Sequence, residues 1–251
     1  MGKVFLSVVI PSYDEMANLQ KGVLDKIEHF LNKKKFSYEV IIVDDGSTDG
    51  SVNFVKRFSA NNPNFKLIEN SHLGKAGAVT TGVLNSNGDY VLFTDMDQAT
   101  PIEELDKLLP YFDEGFDVVI GSRNTVRRGA PLVRQFVSQA AIIARKLIVG
   151  MPEISDTQCG FKAFKKDAAK KLFERIDKLH DGFKKISGSS VSSGFDVELL
   201  YLAEHLGYKI KEVPVEWLFV ETRRVSPVKD SIEGLMDLLR IKRKALRGEY
   251  N

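Results

Sequence analysis

The chain carries a single cysteine, Cys159, among 251 residues. That excludes an intrachain disulfide, and the four histidines stand at no zinc-like spacing from this thiol. An excess of either charge is also missing: 36 Lys and Arg against 34 Asp and Glu leave a formal charge of +2, and no nucleic-acid partner is expected. No apolar run approaches the ~18 residues of a membrane span. The N-terminus leads straight into Val4-Phe5-Leu6-Ser7-Val8-Val9-Ile10, without the basic, apolar and cleavage segments of a secretory signal. These absences predict an intracellular, cytoplasmic protein; if it meets a membrane, it lies peripherally on the cytoplasmic face. Repeats, low-complexity tracts and an interdomain linker are absent too.

What is present is the composition of a soluble globular protein, 43% hydrophobic and 28% charged. The length suits one large domain, taken here as 1–228, followed by a basic amphipathic helix over 229–251 packed on or beside it. Short apolar runs at 5–10, 40–43, 66–68, 90–93 and 118–120 read as strands, with helical patterns near 15–34, 50–60, 75–86 and 101–113 between them. Runs that are apolar throughout imply strands covered on both faces, hence an α/β fold with a mostly parallel central sheet flanked by helices and a Rossmann-like nucleotide-binding half. Beyond residue 121 the rhythm weakens. A helical pattern spans 132–149, a Ser/Gly-rich loop 187–194, a helix 195–206 and a strand-like segment 208–217.

In a doubly wound sheet ligands gather beyond the carboxyl ends of the strands, and three motifs begin where strands stop. The first is Pro11-Ser12-Tyr13-Asp14-Glu15. The second, Asp44-Asp45-Gly46-Ser47-Thr48-Asp49, offers two adjacent acids, one of which can accept from a nucleobase N–H or a ribose hydroxyl; Ser47 or Asp49 can instead cap the next helix. The third, Asp95-Met96-Asp97, sets two hard oxygen ligands one residue apart, as suits Mg2+ or Mn2+ completed by water and substrate phosphate. Gly74-Lys75-Ala76-Gly77 opens a helix with small residues and one cation, able to receive phosphate oxygens without being a Walker A loop.

Together with Gly121-Ser122-Arg123, Asp156-Thr157-Gln158-Cys159-Gly160-Phe161-Lys162 and Phe195-Asp196-Val197-Glu198-Leu199-Leu200, these segments occur in the order seen in family-two inverting glycosyltransferases of the GT-A fold. Over roughly residues 5 to 245 the chain most resembles the dolichyl-phosphate β-glucosyltransferase branch. The resemblance implies a nucleotide-sugar donor, UDP-glucose, with Pro11, Tyr13, Glu15, Asp44 and Asp45 around the uridine and Lys75 approaching the nucleotide. It implies a divalent metal, Mg2+ or Mn2+, held by Asp95 and Asp97, and a lipid-phosphate acceptor received by Arg123, Arg134 and Ser138. Three departures accompany it. Asp14 stands where relatives often have Asn, Gln98-Ala99 replaces an arrangement in which a Gln helps the metal, and the stretch from about 177 to 193 is longer than in that branch.

Inverting transfer requires in-line attack on the anomeric carbon as a nucleoside diphosphate departs. A lipid phosphate is already anionic, with a second pKa of ~6, and needs no strong base. A sugar hydroxyl needs a carboxylate base, for which Asp156 and Asp196 are the candidates beside Asp97 in the catalytic set; either can equally be a charge partner for Lys162. Other readings are a GDP-mannose-dependent polyprenyl-phosphate mannose synthase, a nucleotidyltransferase, which lacks its Gly-rich opening here, and a sugar-nucleotide-binding scaffold, which need not retain Asp95 and Asp97. In the tail, Ile232, Leu235, Met236, Leu239 and Leu246 are spaced to form one apolar stripe, the face by which a terminal helix docks on a core. Arg240, Lys242, Arg243, Lys244 and Arg247 crowd its last turns and are expected to touch anionic lipid headgroups.

Overall fold

The computed structural model describes residues 3–123, 143–183, 193–218 and 227–251, with the helix backbone alone at 193 and 227–232. Among them, seven strands form one sheet: β1 (Leu6–Ser12), β2 (Tyr38–Asp44), β3 (Phe65–Glu69), β4 (Tyr90–Phe93), β5 (Val118–Ser122), β6 (Lys162–Lys165) and β7 (Ile210–Pro214). Their order is β3-β2-β1-β4-β6-β5-β7. All pairings are parallel except those of β6, which runs antiparallel to β4 and β5. The unbroken apolar runs behave as their pattern requires: every residue of β2 and β5 is buried, because helices cover both faces. Among the described residues the helices are α1 (Met16–Gln20), α2 (Val23–Asn32), α3 (Ser51–Asn61), α4 (Gly74–Leu84), α5 (Leu105–Leu108), α6 (Pro110–Asp113), α7 (Lys166–Leu179), α8 (Ser193–His205) and α9 (Pro227–Leu246), and residues 143–148, the described part of the pattern read over 132–149, are helical as well. Chain order reverses between β1 and β4, the kind of switch point beyond whose carboxyl edge ligands bind in open α/β sheets.

Several expectations are corrected. The helix read over 15–34 is two, because Gly22 takes φ +75° between α1 and α2, a conformation in which other residues are strained. That over 101–113 breaks into a 3-10 turn at Ile102–Glu104, α5 and α6, with Pro110 unable to donate to the preceding turn. Strand β6 and helix α7 were not anticipated. Four residues bounded by lysines give β6 no visible period, and its first residue, Lys162, is fully buried with its ammonium held by Asp196 of α8 and the Cys159 carbonyl.

Helix α9 does dock on the domain, but not by the stripe read from its spacing. Leu238 and Ile241 are the buried positions, Ala245 packs beside them, and Lys244 turns inward to Glu198 of α8. Leu235, Met236, Leu239 and Leu246 face outward, 45 to 78% exposed. Two apolar faces exist on this helix, and the choice between them falls to the one bearing Lys244, whose ammonium has a buried carboxylate to meet.

Candidate active site

The loops after β1 and β2 are clipped together by their own side chains. Asp14 N–H donates to Ser47 Oγ at 2.9 Å, Thr48 N–H to Asp14 Oδ1 at 2.7 Å, Glu15 N–H to Ser51 Oγ at 3.1 Å, and Met16 N–H to Asp49 Oδ2 at 2.8 Å. Ser47 and Asp49 thus tie loop to loop, and Asp49 Oδ1 also accepts the N–H of Ser51, the first residue of α3, at 3.0 Å, so of the two capping candidates Asp49 serves the start of that helix. Asp14 holds Thr48 through one acceptor oxygen, which an Asn side chain also possesses.

Asp44 Oδ1 accepts from Gly46 N–H and Ser47 N–H, at 3.0 and 2.9 Å, and shapes the turn. Its Oδ2 and the Oγ of Ser12, register neighbours at the ends of β2 and β1, are buried with no hydrogen-bond partner among the described residues. Asp45 accepts from Leu73 N–H and Gly74 N–H, both at 2.7 Å, so its carboxylate holds the start of α4. His72 Nδ1 lies 3.0 Å from Asp45 Oδ2, with φ at +62°, and its ring stacks on Tyr13 at 4.5 Å. Pro11 sits in β1 beside Val43, and Glu15 accepts from Asn18 Nδ2 at 2.6 Å.

From the second position of α4, Lys75 Nζ meets Asp95 Oδ1 at 2.5 Å, and against the cost of burial Asp95, Asp196 and Asp97 together hold this ammonium more firmly protonated than an ordinary lysine. The turn after β4 is shaped by Gln98, at φ +48°, whose Nε2 donates to Asp95 O at 2.9 Å and Thr94 Oγ1 at 3.3 Å. Asp97 Oδ1 accepts from Ala99 N–H at 3.0 Å. Burial and the neighbouring Asp95 push the Asp97 carboxyl up, so its anionic form is under-compensated. A pair of oxygen donors in that condition fits a divalent cation, which Asp95 and Asp97 would hold as hard ligands, with water and substrate oxygens able to fill the set; no cluster of three ligating side chains occurs among the described residues.

Antiparallel β6 explains why the Asp156–Phe161 segment belongs here. Phe93, the last residue of β4, pairs with Lys162, the first of β6, so the loop leading into β6 arrives at the carboxyl edge beside Asp95. A Cβ on Gly160 would overlap Asp95 Oδ2 and stand 2.6 Å from its Cγ. Gly160→Ala is therefore expected to displace Asp95 and lower kcat/KM about 100-fold, the usual consequence of misplacing a reacting group by ~1 Å, while the thermal midpoint moves little. Activity within a few-fold of the parent would mean that Asp95 yields freely. In the sequence this motif offers Asp156 as a candidate base and Lys162 as its charge partner, and no local signal shows that its glycine faces Asp95.

Asp156 grips Arg123 as a fork, with Nε to Oδ2 at 2.7 Å, Nη2 to Oδ1 at 2.8 Å, and Arg123 N–H to Oδ2 at 3.0 Å. The guanidinium holds the Asp156 carboxyl at about 2, far below the usual range. Asp196 pairs with Lys162 Nζ at 2.5 Å in a buried contact over the Phe93 ring. The two carboxylates considered as bases are each bound to a cation: Asp196 to Lys162, and Asp156 to Arg123. Arg123, expected to face an acceptor phosphate, turns two donor nitrogens to Asp156 and lines a small cavity with Thr94, Asp95, Gln158, Gly160 and Trp217. Arg134 and Ser138 lie outside the described residues, as does most of the Ser/Gly-rich 187–194 stretch.

Comparison with known proteins agrees with this layout. The profile of Glycosyl transferase family 2 matches residues 7–173. A dolichyl-phosphate beta-glucosyltransferase of Dictyostelium discoideum is 33% identical over 261 residues, covering 98% of this chain and 76% of its own. Its Drosophila melanogaster counterpart is 35% identical over 266 residues, with the same coverages. Among solved structures, the Mycobacterium tuberculosis glucosyl-3-phosphoglycerate synthase in complex with Mn2+, UDP and glucosyl-3-phosphoglycerate superimposes with a TM-score of 0.61 at 19% identity, over 95% of this chain and 80% of that one.

Proposed function

The chain belongs to glycosyl transferase family 2, and from that premise we propose that it transfers glucose, with inversion, from UDP-glucose to a dolichyl or other polyprenyl phosphate. It is a glycosyltransferase with a GT-A fold. The observation that carries the finer reading is the engagement of Asp156 by Arg123 and of Asp196 by Lys162. A hydroxyl acceptor needs a base, and a carboxylate clamped by a guanidinium with its pKa at about 2 is a poor one. A phosphate monoester brings its own negative charge, with a second pKa of ~6, and needs only positioning. Relatives that share almost the whole chain are named for that acceptor and for glucose.

In this reading Tyr13 and His72 offer ring faces to the uracil, and the orphaned Asp44 Oδ2 and Ser12 Oγ at the ends of β2 and β1 await donors from the nucleoside. Lys75 would offer its ammonium to the diphosphate beside the start of α4, whose Leu73 and Gly74 N–H groups are held by Asp45. Asp95 and Asp97 would hold Mg2+ or Mn2+, which when bound supplies positive charge for the leaving diphosphate. Asp45 keeps α4 in place, Gln98 keeps the Asp95–Asp97 turn in place, and Gly160 leaves room for Asp95. Arg123, fixed by Asp156, presents cationic charge on the acceptor side of the cavity.

The test is a donor and acceptor screen with purified protein, Mn2+ or Mg2+, and a short polyprenyl phosphate. UDP-glucose is expected to give UDP and a lipid-linked product at a rate at least tenfold above GDP-mannose. A free sugar proving the better acceptor would overturn the lipid-phosphate reading, and GDP-mannose as the better donor would move the chain to mannose transfer.

A further inference from the structure

On the outward side of α9, Leu235, Leu239 and Leu246 fall on one line with Met236 beside it, exposed by 45, 53, 78 and 48%. Lys242 and Arg243 lie on the same side of the helix, and among the described residues neither pairs with a carboxylate. Arg240 and Arg247 flank them, exposed although they reach Asp237 and Glu249. Four large apolar side chains left in water beside a rim of cations are not what a merely docked terminal helix needs, since Leu238, Ile241 and the Lys244–Glu198 pair already secure the inner face. No helix among the described residues is long and apolar enough to cross a membrane.

We propose that this outer face of α9 lies in the plane of an anionic phospholipid bilayer, with Leu235, Met236, Leu239 and Leu246 at the acyl boundary and Lys242 and Arg243 at the headgroups. Charge decides between a bilayer and a second copy of the chain. The middle of the apolar row is near residue 241, so a two-fold pairing of this face would bring the cations of both copies together. Anionic headgroups complement the same residues. The choice of a bilayer also rests on the lipid-phosphate reading of the active site, whose acceptor is dissolved in one.

Sedimentation with vesicles of phosphatidylcholine alone or mixed with phosphatidylglycerol, without acceptor, tests the surface by itself. The full chain is expected to sediment with the mixed vesicles at low salt, and Leu239→Glu with Leu246→Glu to lower the partition coefficient about tenfold or more. Lys242→Gln with Arg243→Gln is expected to remove most of the salt dependence and leave the thermal midpoint unchanged. Unaltered partition in the leucine variant overturns the proposal. So does a dimer seen by light scattering that the leucine variant dissociates, since the face then belongs to a second copy. Turnover of a short, water-soluble polyprenyl phosphate is expected to stay within twofold in both variants. If no lipid phosphate is turned over by the parent while vesicle binding stands, it is the acceptor reading that fails and not the surface.

Discussion

Asp97→Asn is expected to lower kcat by about a thousandfold, a loss of ~4 kcal/mol of charge compensation in the transition state, while the protein becomes no less stable. The structural side of that expectation is specific. Asp97 Oδ1 accepts the Ala99 N–H at 3.0 Å, and the amide oxygen of Asn can accept the same bond, so the turn after β4 survives. Burial and Asp95 already push the Asp97 carboxyl up, so removing its charge relieves an unfavourable interaction when no cation is present. Function is thereby set against stability at one residue. Thermal melts provide a readout apart from turnover. Mn2+ with UDP is expected to raise the midpoint of the parent and not that of the variant, because only a ligand that binds the folded state stabilises it. Full turnover in Asp97→Asn, or in excess EDTA, would remove the metal from the reaction. A midpoint falling by many degrees would make Asp97 a structural residue.

The second large effect lies away from the chemistry, at Glu198 of α8. This buried carboxylate accepts from His180 Nε2 at 2.7 Å, Lys244 Nζ at 2.8 Å and Tyr250 Oη at 2.6 Å. Although burial acts against its charged form, those partners hold its pKa at about 2, below the ordinary 4.5. Since the folded value is the lower one, the contribution to stability is complete above pH 4.5 and is lost as pH falls toward 2. The shift corresponds to roughly 3 kcal/mol, and Glu198→Ala also leaves the buried Tyr250 hydroxyl and the half-buried Lys244 ammonium unmatched. A drop in thermal midpoint of about 6 to 12 °C at neutral pH is expected for a chain of this size. Glu198→Gln is expected to flatten the fall in stability between pH 4.5 and 2. A variant that melts with the parent across that window would show that α9 is held by Leu238, Ile241 and Tyr250 packing alone.

Much of this molecule was legible before any coordinate. Apolar runs without alternation are read as buried strands because a parallel sheet has no wet face, and β1, β2, β4 and β5 fall where that rule puts them. The same rule places Tyr13, Asp45, Asp95 and Arg123 at strand ends on one edge, and motif order leads to a family that the comparisons bear out. What the sequence determined, then, is the set of positions whose environment depends on near neighbours along the chain: strand cores, turn residues, the first turns of helices.

Only the tertiary structure decided which charges meet. Asp156 looked as available to Lys162 as Asp196 did, yet Arg123 takes it, because β5 delivers the guanidinium next to the loop that leads into β6. Gly160 is needed for a contact with a residue 65 positions away, and antiparallel β6, too short to show a period, creates that contact. Helix α9 has two apolar faces of similar length in sequence. Glu198, forty-six residues earlier, selects the inner one by giving Lys244 a buried partner, and so turns Leu235, Leu239 and Leu246 to the outside. Periodicity measures how apolar a face is; which face is covered depends on the side chain that waits across the gap.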